Sequence, residues 1–157
     1  SWMTAVNNGG TFVFSVCRRR HSCSQLAEGS CFRLCVPVAN QRSTVLAVGS
    51  CSGGDVDKWT QIAGLTLVAL APSVETIGGT AAHIECTCQS VGEVDGGEHA
   101  LVVANITRAF VRASHWDGRN FAAKDPKTSP TLSFLGTKQF AAIAALPPAA
   151  PAEGEQG

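Results

Sequence analysis

The apolar residues of this chain fall mostly into short alternating runs, the period of strands with one face buried. "TFVFSVC" (11–17) alternates, is rich in β-branched and aromatic residues, and follows the turn signal "NNGG", so it predicts a strand. "CFRLCVPV" (31–38) predicts a second. In "HIECTCQSV" (83–91), Ile84, Cys86 and Cys88 fall on one side and His83, Glu85 and Thr87 on the other. "DGG" (95–97) then turns the chain into "HALVVANITRAFVRA" (99–113), a long strand whose first half is apolar on both faces. These two strands predict an antiparallel hairpin. "LTLVAL" (65–70) and "TLSFLG" (131–136) are further strands. Three short helices fit between them: "SCSQLAEG" (22–29), "RSTVLAVG" (42–49) and "DVDKWTQIAG" (55–64), each closed by a glycine. Strands dominate, and the strongest pairing signal is antiparallel. The expected fold is therefore mainly β, an antiparallel β-barrel with short helical insertions. Strands do not alternate with long helices, and there is no Gly-x-Gly-x-x-Gly fingerprint or phosphate-binding P-loop, which argues against a Rossmann-type sheet.

Composition sharpens this picture. With 157 residues, 45% apolar and only 15% charged, the chain suits one domain with a sizeable core. We place that domain at 1–144 and a flexible Pro/Ala/Glu-rich tail at 145–157. A net charge of zero leaves no electrostatic footprint for nucleic acid. No apolar run is long enough to span a bilayer, and the segment after Ser1 does not read as a signal peptide. The seven cysteines are odd in number and lie in apolar, strand-like surroundings, as buried reduced thiols do. That usage points to a reducing compartment, most simply cytoplasm. A metal site is the alternative, but one residue separates Cys86 from Cys88 and three separate Cys31 from Cys35, so no two-residue knuckle repeats.

Three segments carry candidate chemistry. In "SVCRRRHSCSQL" (15–26), Arg20, His21 and the Ser22 hydroxyl meet at a predicted helix start, a setting suited to phosphate. From spacing alone, a solvated basic turn with a serine cap is the commoner outcome. In "SWMTAVNNGG" (1–10), Ser1 and Thr4 offer hydroxyls, but the signal is weak. In "SCSGGDVDKW" (50–59), Gly53 and Gly54 let backbone approach a ligand and Lys58 offers a charge. The plainer account has Asp55 as helix cap, Asp57 as dipole partner and Trp59 packed inward. It leaves Ser50, Ser52 and the two glycines unexplained. The histidines compose no catalytic triad, and no nucleophile elbow is present. His115, in "SHWDGRNF", follows a long strand where a barrel mouth would lie.

Taken in order, "SWMTAV", "TFVFSVCRRRHS", "FRLCVPVA", "VGSCSGGDVDKW" and "HIECTCQSVGEVDGGEHALVVANITRAFV" resemble the flavin reductase family, whose members have the FMN-binding split β-barrel. The resemblance runs over about residues 1–140, and the serine-glycine-aspartate-lysine segment combined with the "IEC…GEHALVV" hairpin is its specific part. It implies an NAD(P)H-dependent flavin reductase, with FMN as cofactor and NADH or NADPH as cosubstrate. It places Ser1, Trp2, Met3 and Thr4 against the flavin, many through backbone, with Ser15, Val16 and Cys17 lining it. Arg20, His21 and Ser22 would hold the phosphate, and Ser52, Gly53, Lys58 and Trp59 would lie beside the cofactor. The flavin would carry the chemistry, so the resemblance implies no side-chain acid or base. It also implies a homodimer with FMN near the subunit interface. A monooxygenase accepting reduced flavin is a further partner of some relatives.

Three alternatives stand beside it: a prosthetic FMN with another electron acceptor, an FMN-binding barrel without turnover, and a small metal-binding domain. The sequence departs from the family pattern twice. Relatives usually carry about one strand hairpin before the "SWMT"-like segment, which would leave an open edge here. Cys17 also stands where many relatives have asparagine, which removes an amide donor from the pocket.

Overall fold

The structure is a computed structural model that describes residues 3–94, 96–125 and 127–146. Ser1, Trp2, Asp95 of the predicted turn and most of the predicted tail lie outside the described residues.

Alternation becomes strand where it was expected. β1 (Met3–Ala5), β2 (Thr11–Cys17), β3 (Cys31–Val36), β6 (Ala82–Glu93) and β7 (His99–Val111) form one antiparallel sheet in the order β1-β2-β7-β6-β3. β4 (Leu67–Ala71) pairs with β5 (Val74–Ile77), and β8 (Thr131–Gly136) with β9 (Gln139–Ile143), as two separate hairpins. The helices are α1 (His21–Ser24), α2 (Arg42–Ser50) and α3 (Lys58–Gln61).

The core lies on one face of the large sheet. Phe12, Phe14 and Val16 alternate inward along β2 and meet Cys86, Cys88, Ala100, Val102 and Ala104. Register places Phe12 opposite Ala104 and Val16 opposite Ala100, so small side chains on β7 make room for large ones on β2. Phe12 stacks on Phe14 at 5.9 Å between centroids, and Phe32 of β3 leans on Phe14 at 5.7 Å. Cys23 of α1 and Leu26 just beyond it close over this cluster. Cys86 and Cys88 are thus packed as small apolar residues, and all seven cysteines are free thiols.

The expected barrel is corrected to open sheets. Both hairpins pair only with themselves, so among the described residues no strand joins the outer edges of β1 and β3. β3 stops before Pro37, which has no N–H for a ladder. The β8–β9 hairpin attaches there instead, through Leu132 N–H to the Pro37 carbonyl at 2.9 Å and a Val38–Thr131 bridge.

Two helices are shorter than expected. α1 is one turn rather than 22–29, because Ser30 Oγ accepts the Ala27 N–H and Gly29 takes a φ of +79°. α3 begins at Lys58 with Asp57 as its cap, accepting Trp59 N–H at 3.0 Å. Asp55 is therefore not the cap; its N–H and that of Val56 bond the Ser52 carbonyl in a turn.

The other face of the sheet holds a polar set. Arg33, Glu85 and Arg108 lie side by side across β3, β6 and β7, and Glu85 binds Arg108 at 2.7 Å. The Arg108 hydrogen bond holds the Glu85 carboxyl below its ordinary pKa. His83, on the same side of β6 as Glu85, is buried because β5 covers it; its Nδ1 lies 2.8 Å from Thr76 Oγ1.

Candidate functional site

The site is assembled where β2 ends. The chain leaves Cys17, makes a tight turn with Arg20 N–H on the Cys17 carbonyl at 3.0 Å, and enters α1 at His21. The three arginines of the turn differ in their surroundings. Arg18 pairs with Glu93 at 3.0 Å and Arg19 approaches Glu98 at 3.9 Å. Arg20 has no ion-pair partner among the described residues, and the Ser22 hydroxyl makes no hydrogen bond there. A one-turn helix contributes little dipole, so any anion held here must be held by side-chain charge and donors.

A second segment, thirty residues on, meets this turn. A methyl group built on Gly53 would lie 3.3 Å from His21 Cδ2, and one on Gly54 would lie 3.4 Å from His21 Nδ1. Bare backbone therefore faces the imidazole ring. Ser52 shapes the approach by accepting the Gly54 N–H at 3.2 Å. Lys58 is also close, its Cε 3.9 Å from that position on Gly53, but its ammonium donates to the Val48 carbonyl at the end of α2 at 2.7 Å. Trp59 is 48% exposed and does not pack inward. Beyond the glycines lies an open cleft of about 550 Å³, lined by Val48, residues 53–59, Leu65 and Ile77.

The strand pairing brings other predicted residues near. β1 runs antiparallel to β2 with Met3 opposite Phe14, which sets the start of β1 beside the end of β2. Thr4 pairs with Val13 on the face away from the core, the face that also carries Ser15 and Cys17. Val16 points into the core, so only its backbone is available on that side. The Cys17 thiol is held below its ordinary pKa, first by the Arg19 backbone amide and then by the Arg19 side chain, against a smaller opposing effect of burial. Ser1 and Trp2 lie outside the described residues.

His99, which the sequence did not single out, and Gly54, named there only beside Gly53, also reach this region. His99 is the register partner of Cys17, and Gly54 contacts His21 as closely as Gly53 does. The "GG" pair was the signal that named Gly54; for His99 only the β2–β7 pairing reveals it. His115 is elsewhere and fully engaged: its Nε2 lies 2.9 Å from the Ser129 carbonyl and its Nδ1 3.1 Å from Ser114 Oγ, locking a loop. Among the described residues no group of three or more His, Cys, Asp or Glu side chains converges on a metal position.

Comparison with known proteins gives this geometry a family. The flavin reductase like domain matches residues 1–125. No curated protein gives a significant sequence match. Among solved structures, an FMN-binding domain of a flavin reductases-like enzyme from Shewanella baltica is similar, with a TM-score of 0.77 at 18% identity over 95% of this chain and 79% of that one. The FMN-binding protein of Thermus thermophilus gives 0.73 at 20% identity, over 95% and 79%. The NADH:FAD oxidoreductase SgcE6 of Streptomyces globisporus gives 0.64 at 17%, over 91% and 75%. At these identities the structures speak to the fold, and the domain match speaks to descent: the chain belongs to the flavin reductase like family.

Proposed function

We propose that this protein binds FMN and catalyses transfer of a hydride to it from NADH or NADPH. One observation carries the reading: the His21 ring stands against the bare backbone of Gly53 and Gly54, and its chain neighbours Arg20 and Ser22 have, among the described residues, no ion-pair partner and no hydroxyl hydrogen bond. Such a set fits a phosphomonoester, which needs charge, several donors and close approach. When bound, FMN would supply hydride acceptance at its N5. Arg20 and Ser22 would hold the phosphate, with His21 oriented by the glycines behind it. Thr4, Ser15 and Cys17 share the open face next to that turn and would line the ring system, Met3 and Val16 contributing backbone. No side-chain acid or base is required. Leu101, opposite Ser15, is 41% exposed, and a second copy of the chain would cover it in a homodimer. Among the described residues no helix is long and apolar enough to cross a membrane.

The test is the double substitution Arg20→Ala with Ser22→Ala. Charge-assisted hydrogen bonds contribute about 1.5–3 kcal/mol each, so FMN affinity should fall at least tenfold. Unchanged affinity would reject the phosphate assignment. Anaerobic absorption spectra with and without NADH or NADPH report bound flavin and its bleaching together. The open edges of the large sheet favour a second reading, an FMN-binding protein without turnover. A yellow protein that oxidises neither nucleotide would select it.

A further inference from the structure

We propose that the cleft beyond Gly53 and Gly54 holds the adenosine half of the nicotinamide cosubstrate, and that its charge selects NADH over NADPH. The proposal rests on the reductase reading above and adds to it a subsite and a preference. The cleft, about 550 Å³, has an apolar floor of Val48, Val56, Leu65 and Ile77. Trp59 stands at its edge, half exposed, an aromatic face on which a purine can stack. The two glycines line the cleft with backbone, their Cβ directions being turned to His21.

The charges lining the cleft are Asp55, Asp57 and Lys58. Lys58 is committed to the Val48 carbonyl at 2.7 Å, and Asp57 Oδ1 accepts the Trp59 N–H at 3.0 Å. The Asp55 carboxylate is exposed and has no hydrogen-bond or ion-pair partner among the described residues. A free carboxylate accepts hydrogen bonds from a ribose diol. A 2′-phosphate in the same place would meet two carboxylates against one ammonium, which is anchored on the Val48 carbonyl, and no arginine lines the wall. At contact distance near a protein surface, that repulsion amounts to about tenfold or more in affinity.

The decisive measurement is calorimetric titration of the full chain with NAD+ and, separately, NADP+, in the presence and absence of FMN. NAD+ should bind at least about tenfold more tightly than NADP+. Asp55→Lys should narrow or reverse the ratio, and Asp55→Asn should narrow it with less change in charge. Trp59→Ala should weaken both ligands in similar proportion. Equal affinities, tighter NADP+ binding, no NAD+ binding, or a ratio unmoved in both Asp55 variants would each overturn the proposal. Thermal melts of each variant separate these outcomes from loss of fold. FMN binding is read independently from quenching of flavin fluorescence. NAD+ selectivity without FMN binding would defeat the flavin reading and keep the cleft assignment; FMN binding without selectivity would do the reverse.

Discussion

Replacing Gly53 by alanine separates a cofactor wall from ordinary scaffold. The backbone there is outside the left-handed region, so alanine is tolerated conformationally. Its methyl would sit 3.3 Å from His21 Cδ2 and 3.9 Å from Lys58 Cε, tight enough that the imidazole must move by a few tenths of an ångström. His21 is exposed and free to swing, so the fold loses little. Glycine to alanine at a compatible site restricts the unfolded chain and stabilises by about 0.4–1 kcal/mol, which offsets the crowding. The melting temperature should therefore stay level or rise slightly. FMN binding should move the other way. If the displaced ring no longer donates to the phosphate, one charge-assisted hydrogen bond of about 1.5–3 kcal/mol is lost, or roughly ten- to over a hundredfold in Kd. Flavin fluorescence titration gives the affinity and a thermal melt the stability, on the same preparation. In a His21→Ala background the alanine at position 53 should have no further effect on affinity, because the group it displaces is gone. Affinity that holds while stability drops would show that the His21–Gly53 contact serves folding only, and affinity lost equally in both backgrounds would show that His21 is not the intermediary.

Three other outcomes follow from the pKa directions. Burial raises the Cys86 thiol to about 11, above its unfolded value, so stability present below pH 9 should fall by about 2 kcal/mol as pH rises to 11; denaturant melts across that range measure it, with Cys86→Ala showing a smaller fall, since burial raises the Cys88 thiol too. Glu85 is depressed by Arg108, so its stabilisation is present above the ordinary carboxylate pKa and disappears as pH falls through the lowered one; Glu85→Gln should flatten the acid limb of the stability curve. Cys17, lowered by Arg19, should be alkylated by iodoacetamide at a lower pH than the exposed Cys31, and FMN should slow it; a rate indifferent to FMN places Cys17 outside the pocket.

What could be read in the chain was what local periodicity dictates. Thr11–Cys17 and Thr131–Gly136 are strands at the predicted boundaries, and the β6–β7 hairpin turns at the glycines that marked it. The division of Ile84, Cys86 and Cys88 from His83 and Glu85 along β6 also followed, since side-chain direction in a strand has a period of two; which side is the core did not. β5 and β9 were not legible: one has four residues, and the other carries two alanines, which have low strand preference until a partner is paired. The basic turn and the "SGGD" segment were each visible as oddities, and each alone favoured a plain cap or surface reading. Only the tertiary structure set Gly53 and Gly54 against His21, tied Lys58 to α2, turned Trp59 outward and left the sheet edges unjoined. Those outcomes depend on contacts between segments far apart in sequence, whose free energy is set by packing rather than by any local pattern. Strand periods and turn residues were therefore determined by the sequence itself, while the meeting of two distant loops into one candidate site was decided by the fold.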